Sequence, residues 1–169
     1  MEGLSRNTLA APFNENGYVL MKIYFAGPLF TPYERSFIDQ CAAKLRSAGM
    51  EVFVPHEIPL PDPVTPAFIF DVDSAAVLDA DAVLALLDGP MVDDGTAVEI
   101  GIFWSAMSTD PSKKGIVGLV TDTRVIRDRK MIDGKGINLF VRGCIEDRGS
   151  LVDNFDKAFE ILKAWHEEK

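Results

Sequence analysis

Short apolar runs and segments of helical periodicity alternate along this chain, and that alternation limits the folds open to it. Met21 to Phe25, Glu51 to Val54, Ala82 to Leu87, Ile116 to Val120 and Asn138 to Val141 read as strands. Glu34 to Ala48 repeats apolar residues at helical spacing through Phe37, Ile38, Cys41, Ala42 and Leu45, with Gly49 as its stop. Ala67 to Leu78, Ala97 to about Met107, and Leu151 to Glu167 supply three further helices. Parallel strands need crossover connections, and helices in those crossovers cover both faces of the sheet. The expected class is therefore α/β, a five-stranded parallel sheet in a three-layer α/β/α sandwich.

The doubly wound, flavodoxin-like strand order 2-1-3-4-5 suits five such strands. Residues 1–20 carry scattered Asn, Pro and Gly without a period and read as an N-terminal extension, leaving 21–169 as a single domain. With 47% hydrophobic and 25% charged residues, 169 residues suffice for one well-buried core. The net charge of −9, from 26 acidic and 17 basic residues, argues against a nucleic acid polymer as partner. Cys41 and Cys144 stand far apart without metal-ligand spacing, so neither a disulfide framework nor a metal site is expected. No apolar run nears the roughly 20 residues of a membrane helix, and no leader pattern opens the chain. A soluble cytoplasmic protein is expected.

Doubly wound sheets bind ligands outside the carboxyl ends of their strands, where the strand order reverses. In this order that crevice lies between strands one and three, so the loops at Ala26 to Pro32 and Asp88 to Thr96 matter most. The segment from Asp88 to Glu99 packs four acids into twelve residues: Asp88, Asp93, Asp94 and Glu99. One explanation is local, with Thr96-x-x-Glu99 as a capping box and Asp93 and Asp94 complementing the helix dipole. A cap, however, requires neither Gly95, which admits a ligand close to the backbone, nor Gly101, which leaves one helix face bare. Asp71 and Asp73 lie in an otherwise apolar stretch, where an acid is costly unless paired or used. Alternation along the first strand turns Tyr24 away from Ile23 and Phe25, and its hydroxyl can bond a carboxylate. Gly27 permits close approach after that strand, but no G-x-G-x-x-G or P-loop follows. Nicotinamide and nucleoside triphosphate sites are therefore not supported, and no cofactor is expected.

Several elements together resemble the nucleoside 2-deoxyribosyltransferases. They are Ile23-Tyr24-Phe25-Ala26-Gly27-Pro28, Asp73 upstream of the Asp81-Ala82-Val83 strand start, Asp93-x-Gly95-Thr96-Ala97-x-Glu99-Ile100-Gly101, and Ile137-Asn138-Leu139. The similarity spans about Lys22 to Ile145, and the D-x-G-T-A-x-E-I-G element is its most specific part. The resemblance implies retaining transfer of 2-deoxyribose between nucleobases through a covalent ester on Glu99, in deoxyribonucleoside metabolism and nucleotide salvage. It implies that Tyr24 orients that carboxylate and that Asp73 and Asp93 grip the base and move its proton. Gly27, Pro28, Gly95, Thr96, Asn138 and Phe140 become candidate substrate-binding residues, with Asn138 reaching into a neighbouring subunit's site. The implied partners are a deoxynucleoside, a free nucleobase and further copies of the chain, without metal or organic cofactor. The family's C-terminal aromatic residue is not matched by Trp165-His166-Glu167-Glu168-Lys169, so its role is not carried over.

Cleaving an N-glycosidic bond passes through an oxocarbenium-like state, in which one carboxylate faces the anomeric carbon while an acid protonates the leaving base. The same scaffold and glutamate would also serve a 2-deoxynucleoside 5-monophosphate N-hydrolase, with water as acceptor and a phosphate pocket near the first loop. That loop is dominated by Leu29, Phe30, Pro32 and Tyr33, which favours the transferase. A receiver-like signalling domain would use Asp88 as phosphoacceptor, but Ala26-Gly27-Pro28 replaces the acidic pair it needs and Arg142 stands where it needs lysine. A flavin carrier lacks its hydroxyl-rich phosphate loop. The basic stretch Thr121 to Lys135 reads as a solvated loop, or alternatively as a lid or phosphate contact. His56 is expected in a loop, Cys41 in the core, Cys144 after the fifth strand, and Trp104 in an interface or the core.

Overall fold

A computed structural model describes residues 20–122 and 136–168 of the chain. In chain order the elements are β1 (Lys22–Ala26), α1 (Pro32–Ser47), β2 (Glu51–Phe53), a 3-10 turn (Pro55–Glu57), α2 (Pro66–Asp79), β3 (Ala82–Leu86) and α3 (Asp94–Met107). They are followed by β4 (Gly115–Leu119), α4 (Leu139–Asp147), β5 (Gly149–Val152) and α5 (Phe155–Glu167). The five strands form one sheet in the expected order β2-β1-β3-β4-β5, with every neighbouring pair parallel. Continuous apolar runs make this possible, since β3 and β4 are buried along their whole length by helices on both faces.

The alternation read along β1 divides the core in two. Ile23 and Phe25 pack with Ile38, Leu45 and Leu162 from α1 and α5. Tyr24 and Ala26 face Val77, Ile100, Phe103 and Ile145 from α2, α3 and α4. Helix α1 ends where Gly49 takes φ +88°, a left-handed turn that a side chain would strain. Helix α2 is anchored at its C-terminal end by the buried Lys113, whose Nζ donates to the Leu78 and Ala80 carbonyls at 2.8 and 2.7 Å. A cation there also complements the helix dipole.

The fifth strand departs from expectation. Residues 138–141, expected as that strand, are the cap and first turn of α4, with Asn138 Oδ1 accepting from the amides of Phe140 (2.9 Å) and Val141 (3.3 Å). Val141, Cys144 and Ile145 are buried at helical spacing, a period that the four-residue apolar window hid. The strand itself is Gly149–Val152, half-buried at the sheet edge, and α5 starts later than expected because Asn154 caps it by accepting from the Lys157 amide. Cys144 therefore belongs to α4 rather than following the last strand. Most of the basic stretch at Thr121 to Lys135, with its five basic side chains, lies outside the described residues, as does the extension before Leu20.

Candidate active site

At the crevice between β1 and β3, Tyr24 reaches from β1 and Glu99 from α3. The Tyr24 hydroxyl donates to Glu99 Oε1 at 2.6 Å. Tyr24 is completely buried, and its ring stacks on Phe53, its register partner on β2, with centroids 5.3 Å apart and planes 14° from parallel. Phe53 was not singled out in the sequence. The signal was nonetheless there, because an aromatic at the carboxyl end of β2 must lie beside its counterpart on β1 in a parallel pair.

The capping box that is one reading of Thr96 and Glu99 does not form. Helix α3 starts three residues earlier, with Asp93 as its cap: Asp93 Oδ2 accepts from the Thr96 amide at 3.0 Å and from the Thr96 hydroxyl at 3.3 Å. Glu99 then falls in the second turn, beyond the orphan amides a cap would satisfy, and its carboxylate turns to the sheet instead. Gly95 has a local reason as well, since a Cβ there would lie 3.1 Å from Asp93 Oδ2.

Burial pushes the Glu99 carboxyl up to about 7, against the pull of the Tyr24 hydrogen bond, with the Asp73 and Asp93 charges adding to the rise. Asp73 is likewise raised by burial. Burial, and then the neighbouring Glu99, raise the Tyr24 hydroxyl, so it stays a protonated donor. The outcome is a carboxylate that ionises near neutrality, held in one orientation, with a second carboxyl close enough to feel its charge. Such pairs divide nucleophilic and proton-transfer work.

A cleft of about 340 Å³ opens between α2 and α3, lined among others by Phe70, Asp73, Ser74, Gly95, Val98 and Glu99. Asp73 thus joins the cleft while Asp71 is exposed, which separates two acids that the sequence presented alike. Phe70, Ser74 and Val98 were not anticipated, although Phe70 precedes Asp73 by three residues and so shares its helix face. Pro28 is buried, and Gly27 serves packing: a Cβ there would come within 3.0 Å of Leu86 Cβ on β3. Thr96 is buried beneath the start of α3. Asn138 and the 79% exposed Phe140 stand at the start of α4 and do not line this cleft.

The rival roles fare differently. Asp88 accepts from the Thr121 and Asp122 amides at 2.7 and 2.9 Å and from the Thr121 hydroxyl, so it ties down the segment after β4. His56 lies in the 3-10 turn, 2.7 Å from Asp39 on α1, and Trp104 donates to Asp147 at 3.0 Å, linking α3 to α4. Among the described residues no group of three or more His, Cys, Asp or Glu side chains is placed to hold a metal ion, and no helix is long and apolar enough to cross a membrane.

Known proteins share this fold. A conserved protein of Enterococcus faecalis has a solved structure that superposes with a TM-score of 0.72 at 27% identity, covering 86% of this chain and 98% of that one. A 2-desoxiribosyltransferase from Leishmania mexicana superposes at 0.63 with 23% identity, over 86% and 99% of the two chains. The CMP N-glycosidase of Clostridium botulinum shares the fold at 0.55 with 17% identity, over 85% and 98%. The family model for nucleoside 2-deoxyribosyltransferase matches residues 23–161. With the Tyr24–Glu99 pair inside the matched region, the chain belongs to the nucleoside 2-deoxyribosyltransferase family.

Proposed function

We propose that the protein transfers the 2-deoxyribosyl group from one nucleobase to another by a retaining double displacement, with Glu99 as nucleophile. The observation that carries this reading is the 2.6 Å bond from Tyr24 to a carboxylate that burial has raised to about 7. A Glu99 oxygen attacks the anomeric carbon as the bond to the base nitrogen breaks, and the departing electron pair takes a proton from Asp73, whose carboxyl burial shifts upward. An incoming base nitrogen then attacks the same carbon, the ester bond breaks, and Glu99 is released while Asp73 recovers its proton. Asp93 orients the base edge, and no cofactor takes part.

Incubation with deoxyinosine and free adenine tests the reading. Deoxyadenosine is the expected product; free deoxyribose formed at one rate with or without adenine would overturn transfer and leave hydrolysis. Replacing Tyr24 with Phe removes the one hydrogen bond that lowers the Glu99 carboxyl. The acidic limb of the pH–rate profile should then move above 7, with activity at pH 7 reduced about tenfold or more. An unmoved limb would separate Tyr24 from the nucleophile.

The working unit in this proposal is a homo-oligomer in which Asn138 serves a neighbouring site. Phe70 and Val98 are exposed apolar side chains lining the cleft, and Phe140 is exposed at the start of α4. A Cβ at Gly101 would meet no atom of the described residues within 4 Å, so nothing among them requires that mid-helix glycine. A second copy packed across α3 accounts for both. Val98→Glu should dissociate the assembly in sedimentation and lower activity together; a fully active monomer of the unmodified protein would overturn this part.

A further inference from the structure

The hydrogen bond from Tyr24 to Glu99 depends on the aim of the tyrosine hydroxyl, and one movement governs that aim. The hydroxyl oxygen lies on the long axis of the ring, so turning the ring about that axis leaves it in place. Only a swing of the whole side chain about χ1 carries it off the carboxylate. The neighbouring strands bound such a swing. Val83 on β3 and Phe53 on β2 are the register partners of Tyr24, and partners in a parallel pair point to the same face. Val83 is completely buried. On the other side Phe53 lays its ring along that of Tyr24, with planes only 14° from parallel. Helix α3, which carries Glu99, packs against β1, β3 and β4, so the space that the Phe53 ring fills lies on the side of Tyr24 away from Glu99.

A wall of this kind must itself be held, and β2 is a three-residue strand at the edge of the sheet. Arg46, in the last turn of α1, clamps it. Arg46 Nη2 donates to the Val52 carbonyl at 2.6 Å, and Nη1 and Nη2 donate to the two Glu57 carboxylate oxygens at 2.8 and 2.6 Å. The planar fork thus fixes the chain on both sides of Phe53. His56, 2.7 Å from Asp39 on α1, adds a second tie to the same turn.

We infer that Phe53 is a positioning residue, whose ring keeps the Tyr24 hydroxyl on the carboxylate of Glu99. The inference rests on the proposed role of Glu99 and deepens it, because it names what holds the reactive carboxylate's partner in place. Without the Phe53 ring, Tyr24 leans toward β2, its hydrogen bond lengthens, and the pull that lowers the Glu99 carboxyl against burial weakens. Phe53 does not line the cleft between α2 and α3, so its effect reaches the reaction through Tyr24 alone.

The test follows Glu99 directly, by carbon-13 NMR of the full chain labelled at its glutamate side-chain carboxyls, with the signal assigned by its loss in Glu99→Gln. Phe53→Ala is expected to move the Glu99 titration upward by about half or more of the displacement that Tyr24→Phe produces. Base exchange at pH 7 should fall about threefold or more, in kcat, with KM held within about twofold. Phe53→Leu refills part of the space and should fall between Phe53→Ala and the unmodified protein; it carries the test if Phe53→Ala does not fold. Phe53→Tyr keeps the ring face and should leave the titration in place. In a Tyr24→Phe background Phe53→Ala should add no further rise, since no hydroxyl is left to aim. An unmoved titration in a folded variant lacking the ring overturns the inference, as does a further rise in the double variant or a loss confined to KM. The two readings fail separately: a titration that moves as expected in a protein with no base exchange sinks the deoxyribosyl reading alone, whereas intact exchange with an unmoved titration sinks only the positioning role.

Discussion

Glu99→Gln is expected to lower base exchange by roughly a thousandfold or more, because an uncharged amide cannot form the ester on which both half-reactions depend. The loss should fall on kcat, with bound substrate still detectable. The same variant should fold, since its side-chain oxygen still accepts from the Tyr24 hydroxyl. Glu99→Ala makes the complementary case: it is equally inactive, but it leaves a fully buried hydroxyl without an acceptor, which costs about 1–3 kcal/mol. Thermal melts of the two variants therefore separate the chemical role of the carboxylate from its structural one. Substantial exchange by either variant would remove Glu99 from the reaction, and unfolding of both would make it a structural residue.

The second large effect is on stability as a function of pH. In the unfolded chain the Glu99 carboxyl titrates near 4.5, and in the folded protein near 7. Between those values the folded state binds more protons than the unfolded one, so stability contributed by this group is fully present below pH 4.5 and is lost as pH rises through 7. The displacement from 4.5 to about 7 corresponds to a penalty on the order of 3 kcal/mol once the group is ionised. Glu99→Gln escapes it. Denaturant titrations should find that variant more stable than the unmodified protein by about 2–3 kcal/mol at pH 8, with the difference vanishing near pH 4.5. A constant difference across that window would mean that the carboxylate is not perturbed in the folded state. Stability withheld at a reactive group is the expected signature of a site built for chemistry.

Much of this was legible before any coordinates. Alternating runs fixed the class, and reversal of strand order between β1 and β3 located the crevice. The tyrosine's side of β1 was readable from period alone, whereas the acid at position 99 was singled out by the acid cluster beside the crevice and by the resemblance of the D-x-G-T-A-x-E-I-G element. The failures share a physical cause: short polar side chains that compete for backbone amides. Asn138 turned an apolar run into the first turn of α4, Asn154 delayed α5, and Asp93 began α3 three residues early. Each cap lies one to three residues from the boundary that was misread, where apolar periodicity carries no signal. The aromatic stack of Phe53 on Tyr24 and the closure of the cleft by α2 depend on which elements meet across the sheet, and that is a property of packing rather than of any one segment.

The bond between Tyr24 and Glu99 joins residues 75 positions apart, and it cannot exist until β1 has paired with β3 and α3 has settled over both. In a chain that has collapsed without completing its central sheet, residue 99 is an ordinary surface glutamate, fully ionised at neutral pH, solvated and a poor nucleophile. Under the proposed mechanism, reactivity is acquired only once these elements have met, and a partly folded molecule is expected to be chemically silent toward nucleosides. During refolding, recovery of base exchange should lag behind the recovery of helical signal, making turnover a gauge of when Tyr24 and Glu99 have met.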